Sequence, residues 1–194
     1  MSNRRYPDGP PLDAYSRVTN PERFAPLHSL AIDLMAQLGA QYSVSRSAEF
    51  ELLPGMTEFD HARPPIRLTP TAATAAPIGV AFTTFPSIIV RCGRWFVEPF
   101  PSCGCDACDE TAEDQGEQLQ QIVRDVVAGR FVEKLTIPLW GQARRSWSIG
   151  FGPSGEGRGG GRVLRRADAR ALRGNGPRAV QWQPWPARAA AEPT

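Results

Sequence analysis

The chain of 194 residues has no long apolar run, two histidines and a single lysine, Lys134. No stretch approaches the ~20 apolar residues that a membrane-spanning helix needs, so we expect no membrane partner. The first ten residues include two arginines but no apolar segment after them, which argues against a secretory signal. Four cysteines in a chain without a signal predict reduced thiols and a cytoplasmic location.

Sequence motifs for common enzyme chemistry are also missing. There is no Gly-Lys-Ser/Thr phosphate loop, and neither His28 nor His61 has a nucleophile signature beside it. Residues 150–155 match the letters of a dinucleotide fingerprint, but more glycine follows where the motif needs a helix. We therefore interpret the glycine run as a flexible linker and expect a protein that is not an enzyme.

Charge is distributed unevenly along the chain. Residues 96–140 carry nine acids and three bases, whereas residues 141–194 carry ten bases and three acids. A basic segment can bind nucleic acid or an acidic partner, but this one is diluted by glycine and belongs to no known nucleic-acid-binding module. Pairing with the acidic segment of the same chain, or exposure to solvent, is the simpler interpretation. The oligomeric state has no signature in the sequence.

The pattern of apolar residues predicts one α+β domain with a mostly antiparallel sheet and two main helices packed on one face. We expect a flexible segment at residues 1–14, the domain at 15–152, and a Gly/Arg/Pro-rich extension at 153–194. Strands are predicted at residues 44–53, 66–69, 78–85, 88–92, 95–100, 131–138 and 145–151, a loop at 58–65, and a strand or short helix at 163–173.

Both helices have clear signals. Asn20 before Pro21 is a start signal, Pro26 restarts the helix, and an apolar stripe then extends from Leu27 to Tyr42. The second stripe extends from Leu119 to Val127, with acids before it, where the helix dipole favours them, and Gly129 as the stop. Between two strand candidates, the sequence Cys92-Gly-Arg predicts a tight hairpin.

The strongest candidate site is a run of three cysteines, Cys103, Cys105 and Cys108, before the second helix. Cys105 and Cys108 have the two-residue spacing of a metal knuckle, and Cys103 adds a third thiol. We expect the three sulfur atoms to face one shared space. Cys92 should lie apart, because the hairpin carries it to the opposite end of the strand.

Three interpretations of the cysteines remain open. They form a metal site, with zinc as the candidate ion and His28 or Asp106 as the candidate fourth ligand. Alternatively, they are reduced thiols that close a loop. The third interpretation is redox or nucleophilic chemistry at Cys105 or Cys108, since a helix N-terminus favours a thiolate, although nearby acids such as Asp109 and Glu110 oppose it.

Two motifs resemble an uncharacterised family of small actinobacterial proteins, a domain of unknown function. These are Val-Thr-Asn-Pro-Glu-Arg-Phe at residues 18–24 and Phe-Pro-Ser-Cys-Gly-Cys-Asp-Ala-Cys-Asp-Glu at residues 100–110. The resemblance covers residues 15–150 and implies a bacterial cytosolic protein, but no activity, substrate or cofactor.

We therefore expect a non-enzymatic protein whose cysteine loop is a structural metal or partner-binding element. The alternatives are a thiol redox or metal-dependent enzyme that uses the cysteines, and an interaction protein whose basic C-terminal segment binds an anionic partner.

Overall fold

The computed structural model describes residue 6 and residues 9–150, 157–173 and 177–189. Two short 3₁₀ helices, Leu12–Ser16 and Pro21–Phe24, precede the main elements. The α-helices are α1 (Pro26–Gln41), α2 (Ala112–Val127) and α3 (Arg166–Arg173). The strands are β1 (Val44–Ser47), β2 (His61–Pro70), β3 (Ile78–Thr83), β4 (Ile88–Cys92), β5 (Phe96–Phe100), β6 (Phe131–Thr136), β7 (Ala143–Ile149), β8 (Arg158–Leu164) and β9 (Ala179–Gln181).

The strands form two antiparallel sheets, where the sequence predicted one. The first sheet is a meander in the order β1-β2-β3-β4-β5, and the second has the order β8-β7-β6-β9. The α+β class and the antiparallel pairing are confirmed. Packing of both helices on one face is not confirmed: α1 lies against β1, β2 and β4, while α2 lies against α1 and β7.

Both long helices form where the apolar stripes predicted them. In α1 the residues Leu27, Ala31, Met35 and Leu38 are buried at helical spacing. The second helix begins at the N-cap Thr111, whose hydroxyl accepts a hydrogen bond from the Asp114 amide. None of the helices in the described part of the chain is long and apolar enough to cross a membrane.

The loop predicted at residues 58–65 is wrong at its C-terminal half, because β2 already begins at His61. Two prolines, Pro64 and Pro65, lie within this part of β2. They lie where the register of β2 against β3 shifts, between Arg63 and Ile66. A bulge tolerates proline, which has no backbone N–H, because the residue at a bulge does not need to donate a hydrogen bond to the neighbouring strand.

The predicted glycine linker is wrong for residues 158–162, which form most of β8 along β7. The strand or short helix predicted at residues 163–173 corresponds to the end of β8 and to α3. A Cβ on Gly160 would lie 2.8 Å from Cζ2 of Trp147, and one on Gly161 would lie 2.8 Å from the Arg145 carbonyl oxygen. Glycine at these positions therefore permits close packing. Residues 151–156, which carry most of the fingerprint-like sequence, lie outside the described residues.

The C-terminal residues contribute to the main core. Trp182 and Trp185 are buried in the same apolar cluster as α1, α2 and the first sheet. The Trp185 indole donates to the Ala76 carbonyl at 2.8 Å, and β9 pairs with β6. The domain boundary predicted between residues 152 and 153 thus falls between β7 and its partner β8.

At the N-terminus, Ala14 is buried within the first 3₁₀ helix. The remainder of the flexible segment predicted at 1–14 lies partly outside the described residues.

Candidate metal centre

The three clustered cysteines lie in the loop between β5 and α2, and their sulfur atoms converge. The Sγ atoms of Cys103 and Cys105 are 3.2 Å apart, and those of Cys105 and Cys108 are 3.4 Å apart. All three lie within 4.8 Å of one another. The predicted convergence is confirmed. Sulfurs around one zinc ion at about 2.3 Å are separated by about 3.8 Å in a tetrahedron, so small rotamer changes bring the three thiols to ligand geometry.

Cys92 stands apart from this cluster, as predicted. It ends β4, is fully buried in the main core, and pairs across the hairpin with Phe96. The cysteine loop begins beyond Phe100, at the opposite end of β5. Gly93 turns the hairpin with a positive φ of 59°. Burial raises the pKa of Cys92 well above its ordinary value, so this thiol stays protonated and apolar.

Glu110 organises the cysteine loop. Its Oε2 accepts the Cys103 amide at 2.9 Å, and its Oε1 accepts the Ser102 hydroxyl at 2.6 Å. The Gln115 side-chain amide approaches the same Oε1 at 3.4 Å. One carboxylate thereby joins the start of the loop to the first turn of α2. From the sequence, Glu110 is an acid that opposes thiolate formation; in the structure its carboxylate accepts hydrogen bonds from backbone and side-chain donors of the loop.

The N-terminal segment holds the loop from the other side. The Asp106 side chain is fully buried, and its carboxylate accepts from Arg17 Nε at 3.1 Å and from the Thr19 amide at 3.0 Å. The backbone runs alongside: the Asp106 amide donates to the Arg17 carbonyl, and the Ala107 amide to the Ala14 carbonyl. The contacts join residues almost ninety positions apart in sequence. Sequence reasoning missed them because no local pattern reports a partner so distant.

Two further side chains close the loop around Cys105. Arg23 donates to the carbonyl oxygens of Gly104 at 3.1 Å and Cys105 at 3.2 Å. The Phe85 ring covers Gly104 so closely that a Cβ there would lie 2.7 Å from Cζ. Cys105 is buried, Cys103 is half-buried and Cys108 is exposed. The loop is therefore held in a concave shape, with Cys105 inside and Cys108 at the side that faces solvent.

The thiols of Cys105 and Cys108 have different pKa values. A hydrogen bond from Cys103 lowers the pKa of Cys105. Desolvation and the two neighbouring sulfurs raise the pKa of Cys108 to about 12, although the residue as a whole is exposed. Sequence reasoning gave Cys108 a helix N-terminus, but α2 begins only at Ala112. The thiolate expected at Cys108 is thus not favoured, and Cys105 is the thiol that ionises more readily.

The candidate fourth ligands have other partners. The Nε2–H of His28 donates to the Ser87 carbonyl at 2.9 Å, and its ring packs against Phe82. The Asp106 carboxylate is engaged by Arg17 and Thr19. Within the described residues, the metal-compatible group that forms here consists of Cys103, Cys105 and Cys108 alone. Three thiolates would fill three of the four positions of a tetrahedral zinc ion and leave the fourth to a further ligand.

A comparison with family models gives one match. The model described as a family of unknown function (DUF6226) matches residues 3–189. Neither the curated proteins nor the solved structures yield a match to the chain. The match extends beyond the range of 15–150 on which the two motifs resemble an uncharacterised family, and it includes the C-terminal strands and tryptophans.

Proposed function

The chain belongs to the DUF6226 family of unknown function, and we propose that it is a non-enzymatic protein that binds one zinc ion through Cys103, Cys105 and Cys108. The observation that carries the proposal is the convergence of three sulfurs within 4.8 Å on a loop that other residues hold in place. Thiolate ligands favour zinc over the harder cations. The ion would link the end of β5 to the start of α2 and stabilise the loop as a structural or partner-binding element.

The non-enzymatic part of the proposal is supported by the histidines. The Nε2 of His28 is bonded to the Ser87 carbonyl, and His61 packs against Phe59 on the first sheet. Neither of the two histidines is therefore placed as a base for one of the clustered thiols. A cytoplasmic location is part of the same proposal, because three neighbouring thiols persist for metal binding only where they are kept reduced.

The test is the metal content of protein purified without chelators. We expect about one zinc ion per chain by elemental analysis, and three sulfur ligands at about 2.3 Å by X-ray absorption. A water molecule as the fourth ligand would count against the non-enzymatic part of the proposal, because that arrangement is typical of catalytic zinc. Cys108→Ser, at the exposed position, should weaken zinc binding at least about tenfold without unfolding the chain. Cys92→Ala is the matched control: it removes the remote cysteine and should leave the zinc content unchanged.

The outcomes against the proposal are equally definite. If the purified chain holds no zinc and does not take it up in titration, the metal centre is wrong. If Cys92→Ala removes zinc as fully as Cys108→Ser does, binding is not at the cysteine loop.

Thiol redox chemistry is the second candidate, supported by the 3.4 Å between the sulfurs of Cys105 and Cys108 and by the lowered pKa of Cys105. In this case the pair is oxidised to a disulfide, with two protons and two electrons passing to a disulfide or quinone oxidant. A metal-free chain that forms this disulfide reversibly, as judged by mass spectrometry, would favour it. A chain whose zinc protects all three thiols from alkylation would exclude it.

A further inference from the structure

Two arginines face each other across the second sheet. Arg145 on β7 is the direct cross-strand partner of Arg162 on β8. Like charges in directly opposed positions of an antiparallel pair repel one another and destabilise the sheet. A negative group between or beside the two guanidinium groups would reduce this repulsion.

Arg145 is also buried, with a relative exposure of 7%. Its Nη1 donates to the Trp95 carbonyl at 2.7 Å. Over the described ranges of the chain, neither Arg145 nor Arg162 has a carboxylate oxygen within ion-pair distance; the ion pairs in this region join Arg158 to Glu98 and Arg165 to Asp168. A buried guanidinium normally has an acidic partner.

The nearest buried acid is already occupied. Glu133 on β6 accepts hydrogen bonds from the amides of Arg94, Trp95 and Phe96 and from the Trp182 indole. Its carboxylate therefore belongs to the β4–β5 hairpin and has no oxygen to give to Arg145. Glu133 still attracts Arg145 electrostatically, but its two oxygens are bonded to other donors, and Arg145 lines two cavities.

That space consists of two cavities that share Arg145 and Arg162 as walls. One has a volume of about 290 Å³ and is flanked by the rings of Trp95 and Trp147 and by Glu98. The other has a volume of about 200 Å³ and is also lined by Gly55 and by Arg165 and Asp168, which form an ion pair with each other. Burial lowers the pKa of Arg145 to about 10, and repulsion by Arg162 adds to this effect. A bound anion would relieve both penalties.

We propose that Arg145 and Arg162 form a binding site for the oxyanion group, phosphate or carboxylate, of a small molecule. Guanidinium groups recognise both oxyanions through paired N–H donors. Glu98 refines the class of ligand. It lines the larger cavity, and its Oε2 is buried without a hydrogen-bond partner in the described structure. A ligand with one anionic group for the two arginines and one hydrogen-bond donor for Glu98, such as a hydroxyl or an ammonium, fits this arrangement.

Inorganic phosphate and acetate are the probes, each titrated into the full-length chain against chloride at constant ionic strength. Calorimetry measures affinity, and tryptophan fluorescence reports on the cavity because Trp95 and Trp147 line it. We expect saturable binding of at least one probe. Phosphate alone would indicate a phosphorylated ligand, and acetate alone a carboxylate ligand. If neither probe binds, the site is wrong.

Three variants separate a built site from general attraction to basic protein. Arg162→Gln changes an exposed residue, so the fold should persist, and it should weaken binding about tenfold. Arg144→Gln is the matched control. Arg144 lies on the same strand with its side chain on the opposite face, and its loss should leave affinity unchanged. Glu98→Gln should bind the anion more tightly, because a negative wall becomes neutral. Equal weakening by Arg162→Gln and Arg144→Gln would overturn the proposal.

Discussion

At the scale of single residues, the Glu110 carboxylate is a main fixing point of the cysteine loop. Three donors, from Ser102, Cys103 and Gln115, converge on its two oxygens. Glu110→Gln keeps the shape but replaces one acceptor oxygen by an NH₂ group, which one donor must then face. We expect a loss of about 1–3 kcal/mol in the free energy of unfolding, measured by urea denaturation. Glu117→Gln, at an exposed position on α2, is the control and should change stability by less than about 0.5 kcal/mol.

The pH dependence of stability has a residue-scale source in Glu98. Burial raises its pKa above the ordinary value of 4.5, and Arg158 opposes the shift. The native chain therefore keeps this proton to a higher pH than the unfolded chain does, so its contribution is fully present below 4.5 and declines as pH rises through the native pKa. Glu98→Gln should remove that decline.

Urea denaturation of the wild type and Glu98→Gln between acidic and neutral pH measures the effect. The stability advantage of the variant should grow from pH 4.5 upward and then level off. A constant difference between Glu98→Gln and the wild type at every pH would show that Glu98 titrates alike in both states.

The convergence of the three sulfurs was predictable because thiols so close along one loop have little room to diverge. The groups that hold them were not. Arg17, Thr19 and Arg23 reach the loop through the tertiary fold, and their sequence signal is only that Thr19 and Arg23 belong to the motif at residues 18–24, which Arg17 directly precedes. Glu133 did carry a local signal: the strand β6 alternates buried and less buried positions, and Glu133 takes an inward position between Phe131 and Leu135.

At the scale of elements, the two long helices each contain a glycine in a different environment. A Cβ added to Gly39 in α1 meets nothing within 4 Å, whereas one added to Gly116 in α2 meets Leu30 Cδ1 at 2.8 Å. Alanine in an open helical position stabilises by about 0.5–1 kcal/mol. We expect Gly39→Ala to reach this gain in thermal or urea unfolding. Gly116→Ala should gain less or lose stability, because Leu30 must move. Equal gains at both positions would mean that α1 and α2 pack less closely than the structure shows.

The sequence predicts an element well where a single buried apolar face defines it, as in α1 and α2. The glycine-rich part of β8 could not be predicted in this way, since its sequence, Arg-Gly-Gly-Gly-Arg at residues 158–162, has neither alternation nor β propensity. It is a strand because the Trp147 ring lies against Gly160, a contact that no window of the sequence contains. Glycine at this position is explained by a residue that is close in space but distant in sequence, whereas composition alone favours a flexible linker.

At the scale of the whole molecule, Glu133 joins the two sheets. This carboxylate of the second sheet accepts three amides of the β4–β5 hairpin of the first sheet, together with the Trp182 indole from the C-terminal segment. Burial raises the pKa of Glu133, and the four N–H donors oppose that shift. Because one residue serves both sheets and the C-terminal segment, we expect the three to unfold together.

The whole-molecule prediction concerns a chain shortened to end at residue 152, where the composition alone suggests a boundary. Such a chain loses β8, β9 and the buried Trp182 and Trp185. Removing one buried tryptophan side chain costs about 3–5 kcal/mol, so two approach the 5–15 kcal/mol that hold a domain together. We expect the shortened chain to lose its cooperative urea transition and its near-ultraviolet circular dichroism. A chain ending at residue 189, which keeps both tryptophans and the Arg188 amide bonded to the Gln41 carbonyl, is the control and should unfold cooperatively. If the chain ending at 152 unfolds as cooperatively as that control, the C-terminal segment is an appendage to a core that is complete without it.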